Sequence, residues 1–537
     1  MDIIQRKGVA ISNFLGSRSA RAQRNAVLCA VIGIGLLAAV QLLMGATVMT
    51  GKPGDVPQFL DAAWRINHGQ IPHVDFYSHL GSLPYYITWF GMKISGPNTG
   101  AISSGNVCFM LIASGLTFLL LRRRTSGFLT FLFTVFVAFL ATAPRPLGDP
   151  YFFNDYAMLY NRQGEALLLA LVVGVMIRPP SESKSWSVAD AVCCGFLWQC
   201  LLWIKLSYFT VAAGLIVCAV PLQTLTFRNA LILGASAVLW SAIYLLATGI
   251  PVSAFSADMG IMADAQDFSG KIKVVAIQLF KHVHMLPLLL LLAWEAMNAL
   301  RRSGQPPIHA VVAMLLLAGS ALLMLSSNAQ RTDLPLLAVA CLVGVEHVRR
   351  SETVVPADQI KPIPIIGASV ILIIYLLPIL LADAKAFRNA AFNKIQHKQT
   401  AAELQRTQLS DFIMMADGET AGTISNYQDR LISGLNLIRS QAPGLKIRPL
   451  VFANPFEFAL GLPPSRGGAI CIAYNTLNAK SHPSFARIVG DATHVMVAKD
   501  GPEMTSLFGD ELNAFKLLKT DESEHFILYE LSRDPPR

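Results

Sequence analysis

The sequence predicts a mainly α, polytopic membrane bundle of about eleven transmembrane helices, followed by a C-terminal soluble α/β domain. Three observations lead there. Of the 537 residues, 53% are hydrophobic and only 14% charged, with a mean hydropathy of +0.49, whereas a soluble enzyme would carry nearer ~25% charged residues. Apolar spans of ~20 residues, the length that crosses ~30 Å of hydrocarbon, recur along 1–383 and stop at basic clusters. From 384 to 537 the composition turns polar and mixed.

The net charge of +9 does not point to nucleic acid, because Lys and Arg fall largely between apolar spans, where they set topology. Membrane lipid is the expected partner of that charge. All of the eight cysteines except Cys471 lie in or beside apolar spans, so neither a disulfide framework nor a zinc spacing can be built.

The first span, Ala26 to about Val48, rises from a basic N-terminus (Arg6, Lys7, Arg18, Arg21, Arg24) and is too long for a cleaved signal. It puts the N-terminus in the cytoplasm and loop 49–100 outside. Ala101–Leu121 returns to Arg122, Arg123 and Arg124; Phe128–Ala143 runs out to an outer loop Pro144–Gln163; Glu165–Ile177 comes back to Arg178. Val188–Ile204 goes out to Lys205, Phe209–Leu225 returns to Arg228, and Leu231–Ala247 leads to an outer loop Gly249–Lys271. Val274–Met285 is amphipathic and suits the interface. Pro287–Leu300, Ala310–Leu325, Leu334–Val348 and Ile363–Leu381 complete the crossings and leave the tail outside. In that tail a helical period at Tyr427–Gln441 and β-rich runs at Ile447–Phe452, Ala469–Ala473, Thr493–Ala498 and Phe526–Leu531 predict a small α/β domain.

The chemistry gathers in the first outer loop, which carries Asp55, Asp61, His68, His73, Asp75 and His79. Asp55 follows Pro53–Gly54 at the end of the first span. It has two compatible readings: a general base at the membrane surface, or the N-cap of a helix Val56–Asn67. Asp75, flanked by His73 and His79, is the next candidate carboxylate. No cofactor follows from these residues. A divalent cation fits the count of His and Asp, but no helical His pair or cysteine cluster supports it. In the second outer loop Asn154, Asp155 and Asn161 stand among aromatic residues, an arrangement that suits a sugar or an interfacial anchor equally, and Arg162 offers a planar fork to phosphate. Lys205 places an ammonium between two apolar spans, where it either meets a phosphate or snorkels to the surface. Arg331 occupies a similar place beside Asp333.

The order of these features resembles the first periplasmic loop of the GT-C glycosyltransferases, particularly the bacterial relatives of the protein O-mannosyltransferases and of the lipid A aminoarabinose transferase. The matching residues are Asp55, Ala62–Ala63, Gly69, Pro72, Asp75, Pro84–Tyr85–Tyr86 and Gly96, with Arg122–Arg124 closing the next span. Lys205 is similar to a Lys after that family's middle spans, and Gln330–Arg331 before Leu334–Pro335 to its late Arg-to-Pro element. Two positions depart: Asp55–Val56 stands where relatives have an acidic pair, and His79 where they often have a Lys. The resemblance implies a GT-C-like membrane bundle and transfer of a sugar from a polyprenyl-phosphate donor to a lipid, glycan or protein acceptor, on the periplasmic face of a bacterial-type inner membrane. It implies Asp55 or Asp75 as the catalytic carboxylate, Lys205, Arg331 and Arg162 at the donor phosphate, and His73, His79, Tyr85, Asn154, Asp155 and Asn161 around sugar or acceptor. A transporter or flippase of lipid-linked glycans is the rival, as is a non-catalytic assembly protein. The polar residues gather in outer loops rather than at mid-membrane, which weighs against transport.

Overall fold

A computed structural model gives the fold. It describes residues 19–532, apart from 180–187, 266–267, 303–305, 307, 328–332, 353–362, 397–399, 416–419, 474–476, 478–480, 500–506, 509–510, 512–514 and 516. Helix α1 (Ala20–Met44) starts where the Ser19 hydroxyl accepts the amide of Ala22, the ordinary repair for an unpaired first-turn donor. A short 3-10 turn, Pro53–Asp55, leads into α2 (Val56–Asn67). Then come α3 (Leu83–Ser95), α4 (Gly100–Leu121), α5 (Gly127–Thr142), α6 (Leu159–Met176), α7 (Val188–Ile204), α8 (Leu206–Ala219) and α9 (Phe227–Thr248). They are followed by α10 (Val252–Asp264), α11 (Phe268–Lys281), α12 (Leu286–Arg302), α13 (Ile308–Ser327), α14 (Pro335–Glu352) and α15 (Ile363–Gln396).

Every expected span coincides with a helix. Among the described residues six stretches are long and apolar enough to cross a membrane: Arg21–Met44, Gly100–Leu121, Phe227–Thr248, Val283–Arg302, Ile308–Ser326 and Ile366–Gln396. Three shorter apolar helices, α5, α7 and α8, accompany them. Helices α6 and α14 do not meet the same measure, because Asn161, Arg162 and Glu165 in one and Glu346 and Arg349 in the other lower their hydropathy; all five side chains are buried. Length and composition therefore make this a multi-pass protein without establishing eleven crossings.

Three local expectations change. Helix α6 begins six residues before the expected Glu165, so Asn161 and Arg162 are helical. The expected outer loop Gly249–Lys271 is mostly α10, opened by Pro251 as its N-cap residue. Its apolar residues Phe255 and Met259 lie four apart on one face and are buried against Trp203 and Ile250. The amphipathic stretch expected at Val274–Met285 starts earlier, as α11.

In the tail, α16 (Ala421–Arg439) precedes a four-stranded sheet of order β1-β2-β4-β3, with α17 (Phe456–Ala459) and α18 (Phe485–Val489) between the strands. Strand β1 (Ile447–Leu450) runs parallel to β2 (His494–Ala498), while β4 (Phe526–Leu531) is antiparallel to both β2 and β3 (Leu517–Glu522). The run Ala469–Ala473 is not a strand of this sheet; Ala469 forms an isolated bridge with Tyr77 of the first loop instead. Strand β3 was not expected, since an edge strand with Lys519, Asp521 and Glu522 lacks the apolar alternation that reveals a strand.

Tail and first loop are fastened by buried charge. Arg65 in α2 donates to Asp61 (2.9 Å), to Glu457 (3.2 Å) and to the carbonyls of Ser465 (2.8 Å) and Gly467 (3.0 Å). Asp258 in α10, fully buried, accepts from His73 Nδ1 (3.0 Å), the Ser78 amide (3.1 Å) and Arg487 Nη1 (2.7 Å). One apolar cluster runs from Leu37 in α1 to Phe456 and Phe526 in the tail.

Candidate functional site

The site is built on the turn that follows α1. The Thr50 amide donates to the Asn154 carbonyl (2.9 Å) and the Asn154 amide to Thr50 Oγ1 (2.8 Å), so the loop after α1 and the loop after α5 are laced together at this point. Two residues on from Thr50, the Lys52 amide donates to Asp155 Oδ2 (3.1 Å), while Asp155 Oδ1 accepts from the Ala157 amide (2.7 Å). Gly51 lies so close to the Asp155 carboxylate that any β-carbon there would overlap it.

Asp55 closes the 3-10 turn. Its side chain makes no capping bond to α2: its backbone is itself helical (φ −77°, ψ −23°) rather than extended as a capping residue's is, and Pro57 carries no N2 amide. Oδ1 accepts from Gln58 Nε2 instead (3.0 Å). Burial pushes the Asp55 carboxyl up to about 6, against the opposing pull of the Lys52 ammonium and the Gln58 amide. Asp155 is pushed up to about 7, again by burial first, with the Ala157 and Lys52 amides opposing and the Asp55 charge adding to the rise. Two carboxylates from different loops thus share one poorly solvated place, with proton affinities raised toward neutrality.

On the other flank, Lys205 is the extended residue between α7 and α8. Its Nζ lies 3.5 Å from Asn161 Oδ1 and 5.2 Å from the centre of the Tyr160 ring, and Tyr160 is within electrostatic reach of Asp55. Tyr208 donates its hydroxyl to the Asn161 carbonyl (2.9 Å). The loop ending in Gly81 docks beside Lys205, its amide donating to the Ile204 carbonyl (3.1 Å). That loop brings in His79, which burial and the nearby Lys205 and His73 hold neutral, its pKa down to about 3. His79 Nδ1 and both atoms of the Asn154 side-chain amide are buried with no hydrogen-bond partner among the described residues, an arrangement natural for groups that meet a polar ligand. Tyr85 pairs its hydroxyl with Ser78 Oγ at 2.9 Å.

The structure therefore gathers Asp55, Asp155, Lys205, Asn161 and His79, with Asn154 and Tyr85 beside them. It seats the others elsewhere. Asp75 folds its carboxylate onto the Ile71 amide (2.7 Å), with Arg466 at 3.8 Å. His73, at φ 68°, belongs to the Asp258 network and sits edge-on to Phe255. Arg162 does not present an open fork: it donates to the carbonyls of Arg145 and Leu140 and to both oxygens of Asp383, which also binds Arg145 (2.8 Å). Arg331 lies outside the described residues. Among the described residues no group of three His, Cys, Asp or Glu side chains comes together that could hold a metal ion. Lys52, Gln58 and Asp258 were not singled out from the sequence. Only the Lys52–Pro–Gly–Asp55 string hinted at a charge partner near Asp55.

No family model matches the sequence, and no curated protein does. Among solved structures the chain is similar to ArnT from Cupriavidus metallidurans bound to undecaprenyl phosphate, at 12% identity and a TM-score of 0.46 over 94% of this chain and 99% of that one. The apo state of the same protein gives 12% identity and 0.46 over 93% and 97%. At that similarity the likeness carries no residue assignment, and function has to be read from this chain's own side chains.

Proposed function

We propose that the chain is an inverting GT-C-type glycosyltransferase that moves a sugar from a polyprenyl-phosphate donor to a cell-envelope acceptor at the outer face of a bacterial-type inner membrane. The observation that carries this reading is the Asp55–Asp155 pair, poised near neutrality, with Lys205 on the Tyr160 side of it. It gives a base and a phosphate-seeking cation at one membrane edge, in a chain whose first loop resembles that superfamily.

In the proposed step the acceptor hydroxyl oxygen attacks the anomeric carbon and Asp55 takes its proton. The bond from that carbon to the phosphate oxygen breaks, and its electron pair stays on the phosphate, where Lys205 balances the added charge. Phosphate is already a good leaving group, so positioning and charge stabilisation supply most of the rate. Asp155 provides the second carboxylate that the Asp55–Val56 dipeptide lacks, and it comes from the neighbouring outer loop. It orients the Lys52 stretch through backbone bonds. Neutral His79, Asn154, Asn161 and Tyr85 are assigned to sugar hydroxyls, and Arg331 to the phosphate.

The proposed topology has about eleven crossings, a cytoplasmic N-terminus and a periplasmic domain 384–537. Packing of the Arg122–Gly127 turn against the start of α1 supports it: Gln23 Nε2 donates to the Thr125 carbonyl at 3.3 Å, on the end opposite Asp55. The test is Asp55→Asn, assayed in membranes with carrier-linked donor. Loss of a general base is worth ~10²–10⁴-fold, so transfer collapses at normal protein level; near-normal turnover would remove Asp55 as the base.

A further inference from the structure

The tail reaches the proposed site with side chains of its own, Tyr427 among them. Tyr427 is in the second turn of α16, and the approach to that helix is pinned to the site turn by Thr420 Oγ1, which donates to the Thr50 carbonyl (2.8 Å). A β-carbon at Gly54 would lie 3.6 Å from Tyr427 Cε2 and 3.7 Å from Phe452 Cδ1. The two rings therefore rest on the backbone immediately before Asp55. Phe452 is 39% exposed, so part of an aromatic face stays open beside them. The Tyr427 hydroxyl is closed off from water and has no hydrogen-bond partner among the described residues. A buried phenol without a partner costs stability, and the fold keeps its ring against the backbone that precedes Asp55.

We infer that Tyr427 is an acceptor-binding residue supplied by the tail, its hydroxyl meeting a hydroxyl of a saccharide-bearing acceptor while Phe452 offers the sugar ring an apolar face. The inference rests on the transferase reading and deepens it by naming the acceptor chemistry. Nearness to the base decides acceptor over donor. In a displacement with inversion the base and the leaving phosphate lie on opposite sides of the anomeric carbon; Tyr427 packs on the backbone that precedes Asp55, whereas Lys205, assigned to the phosphate, is held by Asn161 and Tyr160.

The experiment uses the full-length protein in membranes of a deletion strain, which hold the unmodified acceptor, with carrier-linked sugar extracted from that strain as donor. Tyr427→Phe removes only the hydroxyl. It should raise the KM for acceptor membranes about 5- to 10-fold, the worth of one neutral hydrogen bond, while the KM for donor moves less than about twofold and the melting temperature stays level or rises. A purely structural tyrosine would leave both KM values unchanged, and that result overturns the inference, as would an equal rise in both. Acceptor membranes oxidised with periodate should lose acceptor capacity and protease-treated ones should keep it; the reverse pattern also overturns it. If the wild type moves no sugar from the carrier-linked donor to the acceptor membranes, the transferase reading has failed on its own account, independently of Tyr427.

Discussion

The Asp155 carboxylate fills the space where a side chain at Gly51 would begin. The glycine is there because a residue of the loop after α5 must touch the backbone of the loop after α1, and that contact sets the distance from Asp155 to the turn bearing Asp55. Gly51→Ala should push Asp155 away, destabilising by about 1–3 kcal/mol as overpacking does and cutting transfer at least as severely as the loss of stability alone. Gly35→Ala, a position with open space around it, is the control, and thermal unfolding of the purified protein measures both.

Asp55→Asn should gain stability while it loses activity. The folded carboxyl is raised from 3.8 to about 6, so its contribution is fully present below about pH 3.8 and is lost as pH rises through about 6. The wild type at pH 8 therefore carries the whole cost of an ionised, buried carboxylate, on the order of 1–3 kcal/mol. Asn avoids that cost and keeps an oxygen for Gln58. A higher melting temperature for the variant at pH 8, shrinking to nothing by about pH 4, is the expected pattern.

The acid limb of transfer should fall near pH 6, where Asp55 must lose its proton to act as a base. Lys52 helps hold that carboxyl down. Lys52→Ala should accordingly move the limb to higher pH, and kcat/KM measured from pH 4.5 to 8.5 checks the sign. His79, neutral down to about pH 3, should contribute no limb in that range.

Arg65→Ala should loosen the tail from the first loop. Asp61 and Glu457 would be left buried without their cation, a change that typically costs about 3–5 kcal/mol. Proteolysis within 384–537 should quicken in the variant relative to the wild type, whereas Lys446→Ala, which removes a half-exposed ion pair with Asp491, should leave the rate close to normal.

Reporter fusions placed after Arg124 and after Asp383 check the orientation, the first expected in the cytoplasm and the second in the periplasm. A cytoplasmic signal from the second would put the proposed site on the wrong side of the membrane for a periplasmic acceptor.

The sequence by itself determined the helical membrane architecture, because hydrocarbon thickness and basic span ends are local properties of the chain. It also determined that Asp55 opens α2, through Pro and Gly punctuation, and that Lys205 breaks two apolar helices. It did not reveal β3, whose charged residues hide an edge strand, nor that Ala469 would bridge to Tyr77 rather than join the tail's sheet. Which carboxylates meet was decided only by tertiary structure. Asp55 and Asp155 are a hundred residues apart, their raised proton affinities come from shared burial, and burial belongs to the packed molecule. The same holds for Arg162: one guanidinium at the start of an apolar span reads the same in sequence whether it faces a phosphate or, as here, closes on Asp383.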